Sequence, residues 1–176
     1  YVLDSPILTN SQFKKFKKFF SKKTKIIDCT FDISLSLKDR IETIREEAET
    51  AVREGSTCLI LSDKNISNQK ASIPSILTVG AIHSHLVKQG LRGYCSLNVE
   101  CSDALDTHSF AVLIGVGATT VNPYLAIDSI YQRFEKKLFG KNDFESCVVK
   151  FKKSIDAGLL KIMSKMGISV ISSYRG

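Results

Sequence analysis

The chain has 176 residues, of which 43% are hydrophobic and 24% charged, a balance that suits a folded domain with one core and excludes a disordered polypeptide. The sequence contains no run of about 18 uncharged apolar residues and no basic-then-apolar leader, so neither a membrane span nor a signal peptide is readable and a cytoplasmic (or plastid stroma) setting is expected. The formal charge of +7 raises nucleic-acid binding as a competing function. The excess, however, sits in KKFKKFFSKKTK (14–25), at Lys136 and Lys137, and in KFKK (150–153), where phenylalanines at helical spacing mark amphipathic surface helices.

In chain order, the lysine-rich stretch 13–25 reads as a helix and KIIDCTFDI (25–33) as a strand. In SLKDRIETIREEAETAVREG, Ile41, Ile44, Ala48, Ala51 and Val52 form one stripe, Ser36 can cap the start and Gly55 the end, which predicts a helix over 37–54. STCLILSD (56–63) is apolar on both faces, as a parallel strand covered on both sides would be. The unit repeats: a helix over 71–90 with Pro74 in its first turn and Gly90 after its end, then a strand over 91–100. A third round gives a helix over 104–117, a short strand over 118–123 and a helix over 124–140. The polar KNDFESC (141–147) is a joint before a final helix and strand. Alternation of this kind predicts an α/β fold with a mainly parallel sheet, either open or part of a barrel.

Five cysteines, Cys29, Cys58, Cys95, Cys101 and Cys147, occur without a C-x-x-C pair. They read as reduced buried thiols, and no metal site is expected from this stretch alone. GVGA (115–118) is not a phosphate loop, because its glycines close a helix and precede a strand, whereas a phosphate cradle needs them before a helix. His83 and His85 are spaced i, i+2 and face different ways. Ser102, Asp106 and His108 contain the residue types of a hydrolase triad, but they lie too close along one segment to converge, and there is no G-x-S-x-G. Ser62, Asp63, Asn122 and Pro123 lie at strand ends, the edge where α/β enzymes place functional groups, with loop capping as the alternative.

VLDSPIL, LILSD, IPSILTVGAIHSHLVKQGLR, THSFAVLIGVGATTVNPYLA and GLLKIMSKMGISVISSYRG together resemble, in order, landmarks of the glutamate synthase large (alpha) subunit family. The resemblance implies a fragment of a longer modular polypeptide: residues 1–150 as the C-terminal half of its central domain, and 151–176 as the start of an FMN-binding (β/α) barrel. It also implies a fold like a reduced barrel of the FMN-linked oxidoreductase type. For the full-length enzyme it implies glutamate formation from glutamine and 2-oxoglutarate, by ammonia channelling and flavin-dependent reduction. FMN and a 3Fe–4S cluster would be its cofactors, and none is expected in the isolated fragment. The partners implied are the remaining domains of the same polypeptide (amidotransferase, FMN barrel and β-helix) and a small reductase subunit or ferredoxin. No catalytic set is complete here, since the chain begins with Tyr1 and no cysteine precedes Cys29. What carries over is Met163, Ser164, Lys165, Met166 and Gly167, which the resemblance puts at the end of the first barrel strand, near FMN.

Overall fold

The computed structural model describes residues 2–175. Helix α1 (Asn10–Phe19) is opened by a capping box between Thr9 and Gln12 and leads through a 3₁₀ turn into β1 (Thr24–Asp28). After a break at Cys29 come β2 (Thr30–Asp32), α2 (Leu37–Arg53), β3 (Cys58–Ser62) and β4 (Lys70–Ser72). Helix α3 (Ser75–Lys88), β5 (Ser96–Glu100), α4 (Thr107–Gly115), β6 (Thr120–Asn122), α5 (Tyr124–Glu135) and α6 (Phe144–Met166) complete the chain, apart from a last 3₁₀ turn over Ile171–Tyr174.

Strands β1, β3, β5 and β6 form one parallel sheet in sequence order. The strands expected over 56–63 and 91–100 are thus β3 and β5, adjacent and parallel, with Leu59 opposite Leu97 and Leu61 opposite Val99. Each crossover helix contributes to one core: Ile44, Ala48 and Ala51 of α2, Val79, Ile82 and Leu86 of α3, and Phe110, Ala111, Leu113 and Ile114 of α4 meet Ile27, Leu59, Leu61, Leu97, Val99 and Val121 of the sheet. Strands in sequence order with every crossover on the same face are the arrangement of successive units in a (β/α) barrel, here with four strands. Because side chains alternate along a strand, the opposite face carries Cys58, Ile60, Ser62, Asn98, Glu100, Thr120 and Asn122. That face corresponds to a barrel interior, and α1 fills it: Phe13 and Phe16 pack on Cys58 and Ile60.

Several sequence expectations need correction. The strand expected over 25–33 is two strands, because the Asp28 carboxylate accepts from Thr30 N and Oγ1 while Arg40 donates to the carbonyls of Asp28 and Thr30. The chain turns there, and β2 pairs antiparallel with β4 in a separate ribbon. Pro74 is the N-cap of α3, not a residue of its first turn. The Asp103 carboxylate satisfies Ser75 N at 2.9 Å and bonds the Ser75 hydroxyl. Residues 92–94 form a 3₁₀ turn before β5, and the lysine-rich helix spans Asn10–Phe19.

The largest correction is at the end. MSKMGIS is not a strand. Helix α6 runs unbroken to Met166, through the expected boundary at 150/151, and Gly167 closes it in the left-handed conformation (φ 70°, ψ 24°). The reason is packing at helical spacing: Ile155 and Leu159 are buried in the main core, with Ile162 against it.

Candidate functional site

The carboxyl ends of the parallel strands are where a (β/α) architecture collects functional groups, and here the inward-facing polar residues converge there. Glu100 ends β5 with its side chain almost wholly buried. Lys17 Nζ, reaching down from α1, lies 2.9 Å from both carboxylate oxygens, Lys64 Nζ lies 2.9 Å from Oε1, and the Ser62 hydroxyl donates to Oε2 at 2.8 Å. Burial pushes the Glu100 carboxyl up, but the hydrogen bonds from Lys17, Lys64 and Ser62 overcome that and hold it below its ordinary value.

Beside it, Asp63 Oδ2 accepts from Ser102 N at 2.9 Å and from Ser102 Oγ at 2.6 Å. The Tyr124 phenol, at the start of α5, is held above its ordinary range by burial and then by the neighbouring Asp63 carboxylate, and Lys64 Nζ sits 5.0 Å from the centre of its ring. Asn122 ends β6 and donates to the Leu8 carbonyl at 2.9 Å and to Asn10 Oδ1 at 3.0 Å. Below this layer, Asn98 bridges Leu59 O and Ser96 Oγ and accepts from Thr120 Oγ1.

Apart from Asp63 Oδ1, which is buried without a hydrogen-bond partner, these groups are spent on other protein groups. A carboxylate neutralised by two lysines and a serine is poorly placed to act as a base, and a phenol pushed upward does not ionise near neutrality. The edge is thus a closed polar plug that ties α1 to the sheet. Ser62, Asp63 and Asn122 were legible in the sequence as strand-end residues. Glu100, Lys17 and Lys64 were not singled out, although Glu100 closes an apolar strand and could have been found by that position.

The other candidates do not assemble into a site. His85 Nε2 pairs with Glu49 at 2.6 Å, and His83 Nδ1 accepts from Arg92. Asp106 is the N-cap of α4, accepting from Ser109 N at 2.8 Å, while Ser102 is turned to Asp63 and His108 is exposed. No triad forms. All five cysteines are buried and free, and among the described residues no group of His, Cys, Asp or Glu could hold a metal ion. The residues present therefore do not fit an iron–sulfur cluster. Among the described residues no helix is long and apolar enough to cross a membrane.

Met163 to Gly167 form the last turn of α6, with Ser164, Lys165, Met166 and Gly167 exposed and Met163 partly buried. A helix C-terminus presents carbonyls and the negative end of its dipole, and Lys165 is the only cation of the segment. The turn therefore does not fit the phosphate of FMN. A groove of about 1000 Å³ lies elsewhere, between α1, α5 and α6, lined by Gln12, Lys15, Tyr131, Phe144, Val149 and Lys152 among others.

Compared with known protein families, residues 1–176 match the glutamate synthase central domain from end to end. The chain belongs to that family. A glutamate synthase large chain of the NADPH type from Azospirillum brasilense is 50% identical over 177 residues, covering 99% of this chain and 12% of that protein. Its counterpart in Bacillus subtilis is 42% identical over 180 residues, with 99% of this chain and 11% of that protein covered. A ferredoxin-dependent glutamate synthase of Pyropia yezoensis is 39% identical over 189 residues, again covering 99% of this chain and 12% of its own length. The glutamate synthase central domain described here thus spans about an eighth of the relatives it matches.

Proposed function

We propose that this chain is the second half of the central domain, together with the start of the flavin domain, of a polypeptide that makes glutamate from glutamine and 2-oxoglutarate. In that reading ammonia is released by an amidotransferase domain and channelled to a flavin domain. FMN, when bound, would supply the hydride there, a 3Fe–4S cluster would be the second cofactor of that domain, and a reductase subunit or ferredoxin would be the source of electrons. The amidotransferase, FMN barrel and β-helix domains are this segment's partners within one polypeptide.

The observation that carries the reading is 50% identity to a glutamate synthase large chain across 99% of this chain. The segment's own task is structural. Its four-stranded sheet presents a barrel-like inner face, but α1 and the Glu100 network fill that face. It therefore serves as a rigid block, with α6 carrying the chain from residues 1–150 into residues 151–176. The exposure of Leu160, Met166 and Val170 supports a continuation that covers them. Met163 to Gly167 would then lie beside FMN as part of the cavity wall, with the phosphate held by other residues.

The test is glutamate formation by the intact polypeptide, supplied with FMN, its cluster, a reductant, glutamine and 2-oxoglutarate. Glutamate dependent on both substrates is the result expected. Its absence from a preparation with both cofactors loaded would overturn the assignment.

A further inference from the structure

At the amino edge of the sheet, opposite the Glu100 network, two guanidinium groups and an imidazole come together, with no carboxylate paired to them among the described residues. Arg92 Nε donates to His83 Nδ1 at 3.0 Å, Nη1 to the Cys95 carbonyl at 2.6 Å and Nη2 to the Gly117 carbonyl at 2.8 Å. Arg175 Nη2 donates to the next carbonyl, that of Ala118, at 3.3 Å. Among the described residues neither arginine has an ion-pair partner, and Arg175 Nε is buried without a hydrogen-bond partner. The GVGA turn thus presents carbonyls that hold two cationic forks in place, where a phosphate loop would present N–H groups.

An arginine cannot shed its proton to escape this environment, and two partly buried like charges with an unused buried donor are costly unless an anion neutralises them. We propose that Arg92 and Arg175 form an oxyanion-binding site at the amino edge of the sheet, with Arg175 Nε among the donors that the ligand takes. The ligand class is a carboxylate or a tetrahedral oxyanion, matched by planar guanidinium forks. The titratable groups around it are His83 on α3, Arg92 and Cys95 before β5, and Arg175 in the C-terminal segment. His83, held neutral by burial and then by the two arginines, is a built-in reporter, because an anion bound beside it favours its protonated form.

The experiment follows hydrogen–deuterium exchange at C2 of each histidine by mass spectrometry across pH, in sulfate and in chloride at equal ionic strength. Sulfate should raise the His83 midpoint saturably by about half a unit or more while His85 and His108 stay in place. Arg175→Gln should abolish the response and Arg175→Lys restore part of it. Equal midpoints in the two salts, or a sulfate response retained by Arg175→Gln, would overturn the site. The same measurement on the intact polypeptide separates the two sources of ligand. A His83 midpoint already at the sulfate-bound value and indifferent to added sulfate identifies an acidic side chain of a neighbouring segment, whereas a midpoint that rises with sulfate identifies a free anion. A midpoint that stays low and unresponsive there also contradicts the proposal.

Discussion

Glu100 shows how single residues hold this fold together. Its carboxyl lies below the ordinary value of 4.5 in the folded chain, so its contribution is fully present above that value and is lost as pH falls and the folded carboxylate protonates. Replacing Glu100 by Gln leaves Lys17 and Lys64 facing a neutral amide, at an expected cost of about 2–3 kcal/mol at pH 7. Urea denaturation at pH 7 and pH 4 checks this: the difference between wild type and Glu100→Gln should shrink at the lower pH, and an equal difference at both would contradict the network's role. Gly117 is a second such residue. Its φ of +120° is one that L side chains rarely adopt, and an added Cβ would overlap the His83 ring. Gly117→Ala should therefore cost at least about 2 kcal/mol, read in the same denaturation experiment, and an unchanged midpoint would show that the loop can relax.

Among the elements, α6 departs furthest from the sequence reading, and it carries its own test. It crosses α4 so closely that a Cβ on Gly158 would lie 2.5 Å from Thr107 Cγ2. In an isolated helix Gly→Ala is stabilising by about 1 kcal/mol, so a net loss in Gly158→Ala, relieved by adding Thr107→Ala, would show that the crossing decides the sign. Stabilisation by Gly158→Ala alone would contradict that. The helices bounded by local signals were legible: Ser36 caps α2, accepting from Asp39 N, and Gly55 and Gly90 follow α2 and α3 with positive φ. What escaped depended on partners distant in sequence. The break at Cys29 needs Arg40, the start of α3 needs Asp103, and β4 exists through pairing with β2. The strand at MSKMGIS is what the family resemblance implies, whereas the helical spacing of Ile155, Leu159 and Ile162 carries α6 on to Met166.

For the whole molecule, the parallel strands and the helices that connect them are readable from the alternation of helix caps and apolar runs, which leaves open whether the crossovers share one face. The filled inner face is not readable, since nothing local to α1 says that Phe13 and Phe16 cover Cys58 and Ile60. That filled face is the centre of the present account, in which this glutamate synthase segment keeps a barrel-like frame and holds no flavin by itself. A flavin site of the barrel type draws phosphate, ribityl and ring contacts from the ends of several strands. Here those ends are Ser62, Asp63, Glu100 and Asn122, all buried and engaged with protein groups, and the exposed turn at Met163 to Gly167 offers carbonyls to a phosphate. The most direct measurement is to purify the 176-residue chain with excess FMN, remove free flavin by gel filtration and record the visible spectrum of the protein fraction. The account predicts a protein fraction without flavin absorbance, and stoichiometric retained FMN would contradict it.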